Sequence, residues 1–258
     1  MTNTQITHIQ IDNYGPWTVT PEPRREVDLQ TLQSRLYADL AQLFGNRDGY
    51  IFFSRFDNMI AVTNGLDEAD HALIQESVAN RYPVTVSMGT GTHEAPATAL
   101  SAATDHLQEA GSAQAAGRTG VLAGQPEAAD PSPGDVQIAH FDVVDATGKY
   151  TDQLDAFSAF ARIERIYVTL LTHLHAEYGA LAFFVGGDNF IAVCPDLDRA
   201  EYQATIDHVR ERVGADLRVG VGRGATACDA GLAAKDALER SREAGGTVRG
   251  DLPAVTER

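Results

Sequence analysis

The chain has 258 residues and a net charge of −16, with 36 acidic against 20 basic residues. That excess of acid excludes a general nucleic-acid binder, which needs a basic face toward phosphate. No apolar run approaches the roughly 18 residues that span a bilayer, and the opening "MTNTQITHIQIDN" lacks the plan of a signal peptide. The expectation is a soluble, cytoplasmic protein with neither membrane nor nucleic acid among its partners. Two distant cysteines, Cys194 and Cys228, suggest no disulfide framework and no cysteine metal site. Apart from Lys149 and Lys235 the basic residues are all Arg. Acid excess with near-absence of Lys resembles surfaces that work under the strong screening of high salt.

In chain order, a strand over 5–12 ends on Asp12. A long helix follows, with Leu29, Leu32, Leu36, Leu40 and Leu43 forming one apolar face. "YIFFSRFDNMIAV" reads as a hairpin turning at Asp57-Asn58, followed by a helix over 67–80, a strand over 82–90 and a last helix ending in "EAG" at Gly111. Ser112–Gly134 is rich in Ala, Gly and Pro, and its end reads as a linker. The same order then returns: a strand over 136–142 ending on Asp142, a long helix, and the hairpin "LAFFVGGDNFIAV" with Asp188-Asn189 at its turn. A helix over 198–213, a strand over 216–223 and a helix ending in "EAG" at Gly245 complete it. Aligning the halves sets Thr7–Gly15 on Val136–Gly148, pairing Asp12 with Asp142, and sets Asp57 on Asp188. Strand–helix–strand–strand–helix–strand is the ferredoxin-like plan. The expected fold class is therefore α+β, two tandem βαββαβ domains at 1–130 and 131–258, each an antiparallel sheet with helices on one face.

In such a sheet the first strand lies beside the hairpin, so Asp12 can meet Asp57 and Asp142 can meet Asp188. Facing carboxylates raise each other's pKa unless a cation lies between them, and oxygen-only ligands in small number suit magnesium. A duplicated pair outlines a metal-dependent phosphoryl site. By alternation His8 shares a face with Asp12, as His140 does with Asp142. Each is either a satisfied interior residue or an acid–base group.

These residues resemble a known fold and a known family. "GGDN" on a hairpin, with an Asp closing the first strand, looks like the palm-type fold of nucleotidyl cyclases and GGDEF diguanylate cyclases. More closely, "IQIDNYGPWTVTPEPRREVDLQTLQSRLYADL", "RFDN" and "GGDNF" resemble the archaeal GTP cyclohydrolase III family from end to end. The resemblance implies Mg2+-dependent hydrolysis of GTP, with a monovalent cation such as K+ assisting. The guanine imidazole ring opens and pyrophosphate leaves, giving 2-amino-5-formylamino-6-ribosylaminopyrimidin-4-one 5′-phosphate on the route to riboflavin and deazaflavin. A homo-oligomer, dimer or tetramer, is expected.

By motif match Asp12 and Asp57 are the favoured metal ligands, with Asp142 and Asp188 the equivalent pair and His8 the candidate acid–base group. The first half is favoured for the elaborate loop after Asp12, where Asn13, Tyr14 and Gly15 take the phosphate-cradling place. Arg24 and Arg25 either fork onto phosphate or close the helix start against Glu26 and Asp28. Arg55 either reaches phosphate or caps its turn, and Asn58 binds metal, reads guanine or simply suits the turn. Rival readings are a phosphodiester-forming cyclase and a non-catalytic GTP sensor.

Overall fold

The computed structural model describes residues 3–55, 57–126, 132 and 134–252. Two five-stranded sheets follow one plan. In the first, β1 (Thr4–Ile11) lies between β3 (Asn58–Val62) and β4 (Val86–His93), antiparallel to both. β2 (Tyr50–Arg55) extends the sheet beyond β3, and β5 (Leu122–Ala123) runs parallel to β4 at the other edge. In the second, β6 (Val136–Val143) lies between β8 (Asn189–Cys194) and β9 (Leu217–Gly224), with β7 (Leu181–Gly186) outside β8 and β10 (Val248–Gly250) parallel to β9. The parallel edge strands were not expected, because two or three residues carry no alternation to read. The domain boundary expected near 130 lies outside the described residues.

Helices α2 (Glu26–Gly45) and α3 (Glu68–Arg81) cover one face of the first sheet. Leu36, Leu40 and Phe44 of α2 are buried at helical spacing against Ile9, Ile11, Met59 and Ile74. Leu29, Leu32 and Leu43 are only partly buried at the edge of that face. The second half repeats this with α5 (Ala156–Tyr178) and α6 (Arg199–Val213), which bury Ile166, Leu170, Leu174 and Val209 around Phe141. Carboxylates fix the starts of α3 and α6: Asp67 with Asp70, and Asp198 with Glu201, form reciprocal capping boxes.

The expectation of helices on one face needs correction for the last helix of each half. α4 (Pro96–Glu109) and α7 (Ala227–Ala244) lie on the opposite faces, against β4 and β9. Glycines make this possible, since a Cβ on Gly222 would stand 2.2 Å from Ala230 O and 2.3 Å from Ala234 N. Gly222→Ala is expected to cost about 3 kcal/mol, because backbone must move to admit it; denaturant unfolding measures the loss. The halves join across these same faces. Phe52 stacks on Phe183 at 4.3 Å, and the Cys228 and Ala97 amides donate to Asp48 O and Gly179 O. Among the described residues no helix is long and apolar enough to cross a membrane.

Candidate active site

Strand register decides which residues of the two halves correspond. On β1, Gln10 faces Asn58 and Ser87; on β6, Asp142 faces Asn189 and Arg218. Asp142 therefore takes the place of Gln10. Asp12 takes the place of Val144: their amides donate to Thr85 O and Asp216 O at 2.9 and 2.8 Å. His8, opposite Ile60 and Gly89, corresponds to His140, opposite Ile191 and Gly220. Matching Asp12 to Asp142 is thus two residues out of step. A strand carboxylate in register with the hairpin turn occurs in the second half, where the first half has Gln10.

In the first half Asp12 is enclosed by protein donors. Its Oδ1 accepts from Ser87 Oγ at 2.6 Å and Arg118 Nε at 3.2 Å; its Oδ2 accepts from Thr85 Oγ1 at 2.8 Å and the Gly120 amide at 2.9 Å. A carboxylate offers about four acceptor sites, and all four are filled. Arg118 also donates to Gly111 O and Gln10 Oε1. The two side chains are 3% and 2% exposed. Arg118 belongs to the stretch that composition marks as a linker, which here returns a buried cation to the sheet. With all four acceptor positions of Asp12 filled by protein donors none is left for a metal, so Asp12 and Asp57 do not fit a Mg2+ site. Asp57 itself is 38% exposed and pairs with Arg55 at 3.3 Å.

Most of the other first-half candidates have partners of their own, but the buried Asn13 Oδ1 has none among the described residues. Asn13 takes a left-handed conformation, φ 50°, at the start of α1 (Tyr14–Val19), and its amide donates to Ala113 O. The Tyr14 hydroxyl accepts from Gln33 Nε2, and Gly15 is exposed in the same turn. Arg24 lies over the Trp17 ring at 3.9 Å, and Arg25 forks onto Asp28 with two bonds of 2.8 Å. For Arg25 the helix-start alternative is the one the geometry shows. The His8 ring nitrogens lie 3.0 Å from Asn58 Oδ1 and 3.1 Å from Thr104 Oγ1. Burial lowers the His8 pKa. The ring ties the hairpin to α4 through both nitrogens.

The second half is arranged differently. Asp142 Oδ1 accepts from Arg242 Nη2 at 2.5 Å, and Arg218 Nη1 stands 3.9 Å from Oδ2. Asp188 sits at the hairpin tip, where Gly186 and Gly187 take φ of 114° and 63° that side chains rarely adopt. Desolvation, then the charge of Asp142, raises the Asp188 carboxyl above its usual range. Beside it opens a cavity of about 480 Å³, lined by Thr147, Tyr150, Phe160, Ile163 and Phe184 together with Asp188. A turn of π-helix, Thr147–Thr151, forms one wall and the start of α5 another. The volume and apolar lining suit a small organic ligand, with the Asp188 carboxylate at one end fixing a polar group. Among the described residues no three or more His, Cys, Asp or Glu cluster as a complete metal cage. Two carboxylates nevertheless fit Mg2+, which typically takes one or two and completes its shell with water and phosphate oxygens. Arg118, Arg218 and Arg242 were not legible as site residues, because nothing local marks them.

A family model described as GTP cyclohydrolase III matches residues 6–257. GTP cyclohydrolase III of Natronomonas pharaonis is 65% identical over 244 residues, covering 94% of this chain and 96% of that protein. The protein of the same name from Halorubrum lacusprofundi is 61% identical over 258 residues, all of both chains. Among solved structures, the GGDEF domain of DgcB from Caulobacter crescentus in complex with c-di-GMP aligns with a TM-score of 0.38 and 16% identity, covering 44% of this chain and 76% of that one. Matched over nearly its whole length by the family model and by these relatives, the chain is an enzyme of the GTP cyclohydrolase III family.

Proposed function

We propose that the enzyme hydrolyses GTP in its second half. The guanine imidazole ring opens between its carbon and the ribose-bearing nitrogen, and the triphosphate is cut to a monophosphate. The product is 2-amino-5-formylamino-6-ribosylaminopyrimidin-4-one 5′-phosphate, which serves riboflavin and deazaflavin synthesis. The observation that carries the reading is the Asp188 carboxylate lining an apolar cavity, with Asp142 near enough for its charge to act on it. These two carboxylates would hold Mg2+, with K+ as the assisting cation. Bound magnesium supplies charge neutralisation at the phosphates and a more acidic water. The chain's own contribution is positional: the hairpin turn sets Asp188, β6 sets Asp142, and the apolar walls keep bulk water from the base.

Incubation with GTP and Mg2+, with the ultraviolet spectrum and pyrophosphate recorded together, tests the reading. Loss of the purine spectrum along with pyrophosphate release is the expected result. Pyrophosphate with an unchanged purine spectrum would indicate a phosphodiester-forming cyclase, and neither change a GTP sensor.

A further inference from the structure

Both halves set an arginine against the carboxylate at the end of their central strand, and they hold it very differently. Arg118 is 3% exposed and shares Asp12 with three other donors. Arg242, near the end of α7, is 36% exposed, and among the described residues it is the one hydrogen-bond donor to Asp142. Its other branch reaches Glu239 at 2.7 Å on the exposed side of the same helix. Arg218, 28% exposed, faces Asp142 in register but stands beyond hydrogen-bonding distance. Both carboxylates are buried, Asp142 at 6% exposed, but Arg118 is enclosed with its partner whereas Arg242 can swing toward solvent.

We propose that Arg242 is a triphosphate-binding residue that pairs with Asp142 only until a divalent cation takes that carboxylate, whereupon Arg242, with Arg218, turns to the phosphate oxygens. This rests on the reading that Asp142 and Asp188 hold the metal. A guanidinium 2.5 Å from Asp142 Oδ1 opposes a metal ion at the same carboxylate by like-charge repulsion and by crowding. A displaced guanidinium fork beside that carboxylate has a better partner in phosphate, which it can bind with two parallel bonds. At a net charge of −16 the overall field repels a triphosphate, so local arginines must supply the attraction. Metal and nucleotide are then coupled: the metal frees Arg242, and phosphate gives it somewhere to go.

The test compares Arg242→Ala, Arg242→Lys and Asp142→Asn for binding of Mn2+ without nucleotide, read by the electron paramagnetic resonance of free Mn2+, and for KM of GTP. Removing a cation from beside the carboxylate should tighten Mn2+ binding about tenfold in Arg242→Ala, the scale of one pKa unit from a neighbouring charge. The same variant should raise KM about tenfold or more, with Arg242→Lys between it and the parent. Unchanged or weaker Mn2+ binding by Arg242→Ala, or an unchanged KM, overturns the proposal. Asp142→Asn separates the two levels. If it binds Mn2+ as the parent does, the metal lies elsewhere and the underlying reading fails. If it loses Mn2+ while Arg242→Ala gains none, only the role of Arg242 fails.

Discussion

Asp188→Asn is expected to lower GTP turnover on the order of a thousandfold, about 4 kcal/mol in the barrier, while leaving the fold intact. Asn keeps the size and turn preference of Asp at the hairpin tip but removes the charge that would hold the metal. Gly186 and Gly187 keep their left-handed conformations, and β7 and β8 keep their register on either side of the turn. The thermal midpoint should hold or rise slightly, since the desolvation of the charge and then the repulsion from Asp142, which together raise the Asp188 pKa, both disappear. Turnover, circular dichroism and thermal unfolding on one preparation check all three points. A variant that unfolded would make Asp188 a structural residue instead.

Asp12→Asn should do the reverse and damage the fold. The carboxylate accepts four hydrogen bonds in a place where it is 2% exposed, and Arg118 beside it is 3% exposed. Removing one partner of a buried ion pair leaves the other charge uncompensated, at about 3–5 kcal/mol. For a chain of this size that lowers the thermal midpoint by roughly 10 °C. Arg118→Met in the same background should recover part of the loss, because it removes the stranded charge. If Asp12 were instead a metal ligand, its Asn variant would keep the midpoint and lose Mn2+ binding.

Much of the fold was legible because its signals are local. Leu36 and Leu40 sit at helical spacing, and the turns at Asp57-Asn58 and Asp188-Asn189 interrupt apolar strands. The central strands, expected at 5–12 and 136–142, run Thr4–Ile11 and Val136–Val143. The side of the sheet taken by α4 and α7 was not legible, because it depends on Gly89, Gly91, Gly220 and Gly222 lying in register across strands that sequence does not pair. The site was half legible for the same reason. "QID" before a glycine-containing loop and "HFD" before another invite alignment of their aspartates, whereas hydrogen-bond partners set Asp142 level with Gln10. Arg118 closes on Asp12 from 106 residues along the chain, inside an Ala/Gly-rich stretch that composition alone reads as spacer.

We place one metal-binding carboxylate pair in each chain, in the second half. The turnover of Asp57→Asn measured beside that of Asp188→Asn, both at saturating Mg2+ and GTP, tests it most directly. Asp57 is ion-paired with Arg55 at the surface, and no strand carboxylate stands at Gln10, so Asp57→Asn should keep turnover within about threefold of the parent, the range of a lost surface ion pair. Asp188→Asn should be nearly inactive. Loss of activity in Asp57→Asn with activity retained in Asp188→Asn would place the chemistry in the first half and contradict the claim.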